Sequence, residues 1–470
     1  MRNAAKALGT LVAILALCAP LILWPGEDPQ SSLARSSGVT LTIPATVVVP
    51  TTLASAQTTT TTTQRTPEPP PTTTTTTAPL EVTVAVAGDV IADRQVLSSV
   101  RNEETGAHDF GPVFAPMARY LARADYTVAC LEPRLAGPGY GYDDENLLNA
   151  PRELAFALRQ AGVDMVATAN RHSLDFGVEG VIGTLDRLES AGLAHTGTYR
   201  SSSERAVPRV IDVHGIRVAF LNYTDRVDRA ISQPETPSEP DSTSEGASLP
   251  ETQVTSQPED QGTPPAEVQM TSSPQGTASY VGLIDLDAVR QDVKMARLYG
   301  ADAVIVILNY GEPLGTGPTD EQTILTRQIL SFGVDAIVGT RPAVQTIAHI
   351  VTYSSWKITE KFVAYSVGDL VSSGGKDNPG HGFVLYLKLK KEGLRTFLTG
   401  VNYLPVYIQA STTEEKRLLF RVLPVTPGIE PSSDVPLTPD DRLRMTQLWE
   451  DLRQLLYRPD ENIVPLVAGF

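Results

Sequence analysis

The chain has 470 residues and a formal net charge of −16, long enough by itself for two or three domains. An acidic chain without basic clusters is excluded from the usual nucleic-acid binders. Its two cysteines, Cys18 and Cys130, rule out an intrachain disulfide framework.

The N-terminus carries Arg2 and Lys6, then an uncharged apolar run from Ala7 to Trp24. A basic start before a membrane-length apolar segment reads as a signal peptide or an uncleaved anchor. No small-x-small site follows promptly, which favours the anchor over secretion after cleavage. The positive residues precede the span, so the expectation is a single-pass cell-membrane protein with its bulk outside the cytoplasm. Residues 25–79 are rich in Thr, Pro and Ser, with pure threonine runs at Thr58–Thr63 and Thr72–Thr77. Such a segment buries too little apolar surface to fold, and its prolines stiffen it into an extended spacer. A disordered stalk is expected there.

The folded part begins at Glu81–Ala87, and a repeated pattern follows. Apolar runs at Tyr126–Leu131, Met165–Ala169, Ala303–Leu308 and Ala336–Val338 each follow a stretch with helical spacing and end on polar residues. Gly162, Gly300 and Gly333 stand where three of these helices end, positions that want a left-handed residue. Helix, turn, buried strand, polar tip is the repeating unit of a sheet covered on both faces. Right-handed crossovers bring the strand tips to one edge, so Asp89, Glu132, Asn170, Arg171, His172, Asn309 and Arg341 are expected to converge.

Val210–Val213 and Ile216–Tyr223 read as a β-hairpin around His214-Gly215. Between Ile231 and Ser279 there are eight acidic residues and no basic ones, so half the charge excess lies in one insert. It is too long and polar for an ordinary loop and is expected to be disordered. Lys361–Ser366 and Gly382–Leu389 read as a second strand pair. Thr438-Pro439-Asp440-Asp441 has the pattern of a helix start, and the helix is expected to run to about Tyr457 and pack on the domain. The boundaries expected are 1–24, 25–79, 80–407 with the insert at 231–279, and 408–470.

Taken singly, the site candidates are weak. Gly88-Asp89 after a strand is more often a turn or cap, and Glu132 a solvated carboxylate. His172 alone could be a ligand, a general acid or merely structural. They gain weight together, each at a strand end in order. Ala169 to Gly177 closely resembles the Ala-Asn-Asn-His-x-x-Asp-x-Gly signature of the CapA family of capsule and poly-γ-glutamate synthesis proteins, with Arg171 in place of the second Asn. Gly88-Asp89-Val90 matches the family's opening motif, and Cys130-Leu131-Glu132 matches its Asn-Leu-Glu. Asn309-Tyr310-Gly311-Glu312 resembles His-Trp-Gly-x-Glu, with the Glu one position early. Gly339-Thr340-Arg341-Pro342-Ala343 matches Gly-His-His-Pro-His without the histidines. Tyr365-Ser366-Val367-Gly368-Asp369 matches Tyr-Ser-Leu-Gly-Asn. The resemblance spans roughly Val82 to Tyr407.

The resemblance implies an α/β fold: a metallophosphoesterase-like sandwich of mixed sheets flanked by helices, with a metal site at one edge. It implies Asp89, Glu132 and His172 as metal ligands and His172 as a catalytic acid. Asn170, Asp175, Asn309, Glu312 and Asp369 would line the pocket. The departures change the chemistry. Borderline cations want imidazole beside carboxylate, and Asn309, Thr340, Arg341 and Ala343 supply none. One divalent metal or none is expected, not a two-metal clamp. Arg171 and Arg341, permanent cations, would replace the lost charge by pairing with Asp89 or Glu132, or else bind an anion. The expected role is a binding or scaffold protein for an anionic cell-envelope polymer, the alternative an active metal-dependent hydrolase. The expected partners are that polymer and the membrane.

Overall fold

The computed structural model describes residues 79–142, 146–228, 276–311, 317–341, 344–354, 357–374, 381–412, 418–427 and 435–466. The expected anchor, the stalk up to residue 78 and Glu312 lie outside them. So does the acidic insert, except for its last residues, which enter the helical turn Thr277–Tyr280. Among the described residues no helix is long and apolar enough to cross a membrane.

In chain order the strands are β1 (Leu80–Val90), β2 (Tyr126–Leu131), β3 (Met165–Ala167), β4 (Ala194–Thr196), β5 (Arg209–Val213), β6 (Ile216–Thr224), β7 (Ala303–Asn309) and β8 (Ala336–Thr340). They continue with β9 (Gln345–Ser354), β10 (Lys357–Ser366), β11 (Asp369–Val371), β12 (His381–Glu392), β13 (Arg395–Thr412), β14 (Leu418–Pro424) and β15 (Ile463–Pro465). One nine-stranded sheet runs β14-β13-β12-β1-β2-β3-β4, with β11 beside β1 and β15 beside β13. A six-stranded sheet runs β5-β6-β7-β8-β10-β9. Both are mixed, with parallel pairing through β1-β2-β3-β4 and β6-β7-β8.

The continuous apolar runs follow from burial on both faces. Along β7, Ile305 and Ile307 enter the core between the sheets. Val304, Val306 and Leu308 enter a second core under the helices Leu286–Leu298 and Asp320–Ser331. β1 divides likewise: Val82, Val84 and Val86 face the inter-sheet core, while Ala85 and Ala87 face the helices Glu153–Gln160 and Gly177–Ser190. The two-residue period of a strand thus serves two cores at once. Each such Val or Ile contributes roughly 1.5–3 kcal/mol by leaving water. Layers run helix, sheet, sheet, helix, which is the sandwich of mixed sheets expected.

Local chemistry sets the helix limits. Thr319 and Thr438 each form a capping box, with Gln322 and Asp441 respectively, and Pro439 occupies the first turn. Gly162, Gly300 and Gly333 take φ of +100°, +85° and +102° where helices hand over to strands.

Two expectations change. Lys361–Ser366 and Gly382–Leu389 do not pair with each other. The first lies in β10, between β8 and β9, and the second in β12, between β1 and β13, in the other sheet. The boundary drawn at residue 407 falls inside β13. The C-terminal helix Pro439–Leu456 sends Met445, Leu448, Leu452 and Leu456 into the inter-sheet core, so residues 408–466 belong to the same body.

Candidate functional site

Parallel strands deliver their C-terminal tips to a shared edge, and a tight backbone contact fixes the first carboxylate there. A Cβ on Gly88 would lie 2.0 Å from the carbonyl oxygen of Gly368, so only glycine fits. Asp89 N–H donates to that same carbonyl at 3.0 Å, and Asp89 pairs in register with Asp369. Two motifs far apart in sequence therefore abut as neighbouring Gly-Asp steps, and Gly368 itself has φ +69°.

Asp89, Glu132 and Asp369 are all buried. The Asp89 carboxyl is held well above the usual carboxylate range, first by burial and then by Glu132 and Asp369. A hydrogen bond from the Thr340 hydroxyl and the charge of Arg341 oppose that shift. Asn309 Nδ2 donates to Thr340 Oγ1 at 3.2 Å, which leaves the hydroxyl proton for Asp89. Asp89 Oδ2 and Asn309 Oδ1 are buried without a hydrogen-bond partner. Burial, Asp89 and Glu132 together also push the Cys130 thiol well up.

Arg134, two residues beyond Glu132, was not singled out by the sequence reading. It is fully buried. Its Nη2 donates to the carbonyls of Leu131 and Glu132, each at 3.1 Å. Burial lowers its pKa to about 10, against the pull of Asp175 and Glu132, so it remains a cation at neutral pH. An arginine in a loop after a strand gives no sequence signal of such burial.

The Asn170-Arg171-His172 turn is built by its own side chains. Asn170 Nδ2 donates to the Leu131 carbonyl at 2.7 Å, and Asn170 Oδ1 accepts from His172 N–H at 2.9 Å. His172 Nδ1 lies 2.8 Å from Asp175 Oδ2, which also accepts from Leu148 N–H at 2.9 Å. An ionised carboxylate only accepts, so Nδ1 is the donor in this contact. Nε2 is buried and without a partner.

Both arginines of the motifs find carboxylates, but not the expected ones. Arg341 Nη2 donates to Asp225 Oδ1 at 3.0 Å, and Asp225 Oδ2 accepts from Gly311 N–H at 2.9 Å. Arg171 Nη1 lies 3.4 Å from Asp228 Oδ2 with both side chains partly exposed, and Asp228 N–H donates to the Arg171 carbonyl at 2.8 Å. The loop after β6, rather than Asp89 or Glu132, supplies the counterions. The rule that polar residues at strand tips form the site, applied also to β6, would have found Asp225.

The donor set does not suit a two-metal centre. At the tips of β7 and β8 stand an amide, a hydroxyl and a guanidinium, and a guanidinium cannot ligate a cation. Among the described residues no three His, Cys, Asp or Glu side chains are placed to hold a metal ion. Asp89, Glu132 and His172 share the edge without forming such a group.

This fold and this edge define a four-layered α/β protein with a buried carboxylate cluster at its strand tips. The chain belongs to the bacterial capsule synthesis protein PGA_cap family, which matches residues 83–374. It is 26% identical over 302 residues to the capsule biosynthesis protein CapA of Bacillus anthracis, a match covering 63% of this chain and 61% of that relative. It is 23% identical over 320 residues to the PGA biosynthesis protein CapA of Bacillus subtilis (strain 168), covering 67% and 70%. The chain thus spans about three fifths of the length of the first relative. Among solved structures, a 5'-nucleotidase precursor from Thermus thermophilus aligns with TM-score 0.34 at 14% identity, over 80% of this chain and 59% of that one. The Thermus thermophilus sulfate thiohydrolase SoxB aligns with TM-score 0.32 at 13% identity, over 74% and 48%.

Proposed function

We propose that this chain is a membrane-anchored, extracellular protein of capsule or envelope-polymer synthesis that binds or scaffolds an anionic polymer of the poly-γ-glutamate type. It does so on an edge whose metal site has eroded. The observation that carries this reading is the substitution of internal contacts for metal ligands. Thr340 hydrogen-bonds Asp89, and Arg341 is engaged by Asp225. Arg134 and Arg341 offset part of the carboxylate charge at this edge. The run Ala7–Trp24 would hold the protein in the membrane, with residues 25–79 as the stalk.

A second reading is a metal-dependent hydrolase of the metallophosphoesterase type. Its support is that Asp89 Oδ2 and His172 Nε2 are buried and unpartnered. Binding and turnover separate the two. The full chain in detergent, incubated with immobilised poly-γ-glutamate and with neutral dextran, is expected to be retained by the first alone and to cleave no phosphoester with manganese added. Phosphoester cleavage lost in His172→Ala would favour the hydrolase. Protease added to intact cells should digest the folded part, whereas full protection would place it inside and contradict the topology.

A further inference from the structure

The carboxylate edge lies at the C-terminal tips of the parallel strands, and the opposite end of the sheets is built differently. β1 begins there at Leu80, nine residues and about 30 Å before Asp89. Leu80 pairs with Lys391, beside the turn Glu392-Gly393-Leu394-Arg395 that joins β12 to β13. Its Cδ1 stands against the turn between β5 and β6, where a Cβ on Gly215 would lie 2.8 Å away. Lys391 Nζ donates to Asp302 Oδ2 at 2.7 Å, and Asp302 N–H donates to the Arg217 carbonyl at 2.7 Å. The end of the helix Leu286–Leu298 and the start of β6 therefore join the same rim.

Large apolar side chains collect on this rim. Leu394 is fully exposed, Leu298 is 69% exposed, and Leu80, Tyr299 and Phe397 are exposed as well. These are five of the eleven large apolar residues exposed among the described residues, and they come from three separate segments. Scattered singly, such residues need no partner, but gathered at one end they mark a contact surface. Acids on the rim have lysines beside them: Lys390 Nζ lies 3.4 Å from Glu81 and 3.1 Å from Glu392, and Lys391 holds Asp302. Arg217 and Arg395 are exposed alongside. On a chain of net charge −16, this pairing lowers the repulsion between the rim and an anionic surface.

Where the chain leads decides the occupant. The 79 residues before Leu80 include the apolar run Ala7–Trp24, and they join the fold at this rim. A bilayer holding that run is the apolar surface to which the rim is tethered, and a tether keeps the local concentration of two partners high. Leucine and phenylalanine suit the acyl boundary, and tyrosine with lysine and arginine suits the headgroup layer. We infer that the rim formed by Leu80, Leu298-Tyr299 and the Leu394–Phe397 turn docks on the membrane surface and turns the carboxylate edge away from it. The inference rests on the reading that Ala7–Trp24 anchors the protein. The stalk sets how far the domain can range, and the rim sets which end faces the bilayer when it comes down.

The test uses the full chain in a Cys18→Ser background, Cys130 being buried, reconstituted into vesicles of phosphatidylcholine and phosphatidylglycerol. A fluorophore on Leu394→Cys reports on the rim. One on Tyr140→Cys reports on the other end, where Tyr140 is 49% exposed and its ring meets that of Phe176 at 5.0 Å. Lipids with a nitroxide high on the acyl chain should quench the first probe and spare the second. Adding Leu298→Gln and Phe397→Gln should abolish the quenching at Leu394→Cys. Both side chains are exposed, so an unchanged melting temperature should confirm the fold. If the chain floats with the vesicles but neither probe is quenched, or both are quenched equally, docking is overturned while the anchor stands. Energy transfer between labelled copies, without quenching by lipid, would assign the rim to a second copy and overturn the bilayer. If the chain does not float with the vesicles, the anchoring reading fails and docking with it.

Discussion

Arg341, at the tip of β8, donates Nη2 to Asp225, at the tip of β6, at 3.0 Å. The pair crosses the β7 strand between them and joins two loops of the six-stranded sheet. The Arg341 side chain is 6% exposed and the Asp225 side chain 30%, so water screens one partner only. Removing the guanidinium leaves a half-buried carboxylate without its counterion. Arg341→Ala is expected to cost about 2 kcal/mol, less than a fully buried pair because Asp225 is partly solvated. Arg341→Ala with Asp225→Ala should recover part of that loss. Urea denaturation of the four forms checks it, and fully additive effects would contradict the coupling.

The buried carboxylates make stability depend on pH in a definite direction. Burial, Glu132 and Asp369 raise the Asp89 pKa in the folded state above its unfolded value. The folded protein therefore holds that proton more tightly than the unfolded chain. The stabilisation is complete below the ordinary carboxyl range and is lost as pH rises through the raised folded value. Asp89→Asn keeps an acceptor for Thr340 and removes the charge. It is expected to stabilise the protein at pH about 8 by on the order of 1 kcal/mol, one pKa unit being about 1.4 kcal/mol. Its melting temperature should also vary less with pH than wild type. A variant less stable than wild type at every pH would contradict the electrostatic reading.

Cys130 pairs in register with Asp89 and stands two residues before Glu132, and burial with both carboxylates pushes its thiol well up. A thiol reacts as thiolate. In a Cys18→Ser background, native protein should react with a disulfide reagent far more slowly than denatured protein. Rapid native labelling would mean that the edge is open and wet.

Asp175 serves two groups, the His172 ring and the Leu148 N–H. Asp175→Ala strands both inside the protein and is expected to cost about 2–4 kcal/mol. His172→Gln should cost less, because it leaves the Leu148 contact intact. Thermal denaturation of both variants decides this; equal losses would mean that Asp175 acts only through the ring.

Much of the architecture was legible because burial on two faces produces unbroken apolar runs. Tyr126–Leu131 and Ala303–Leu308 could hardly be anything but inner strands. Thr438-Pro439 announced its helix through cap chemistry alone. Strand partners were not legible, since Lys361–Ser366 and Gly382–Leu389 look alike in sequence yet lie in different sheets. The strand Gln345–Ser354, which pairs with β10, mixes polar and apolar residues and gave no clear period. At the edge, Asp89, Glu132 and His172 stood out as polar residues at strand ends and through the family resemblance, and Asp369 through that resemblance alone. Arg134 did not, because its burial is set by tertiary packing. Asp225 and Asp228 were obscured by their position at the start of the polar insert.

The proposed function has internal contacts in the place of metal ions at this edge. Its most direct test is metal content by mass spectrometry on the full chain after incubation with manganese, zinc or calcium and desalting. The account predicts well below one metal per chain, and no change in Asp89→Ala or His172→Ala. Near-stoichiometric metal that is lost in both variants would contradict it and identify the edge as a working metal site.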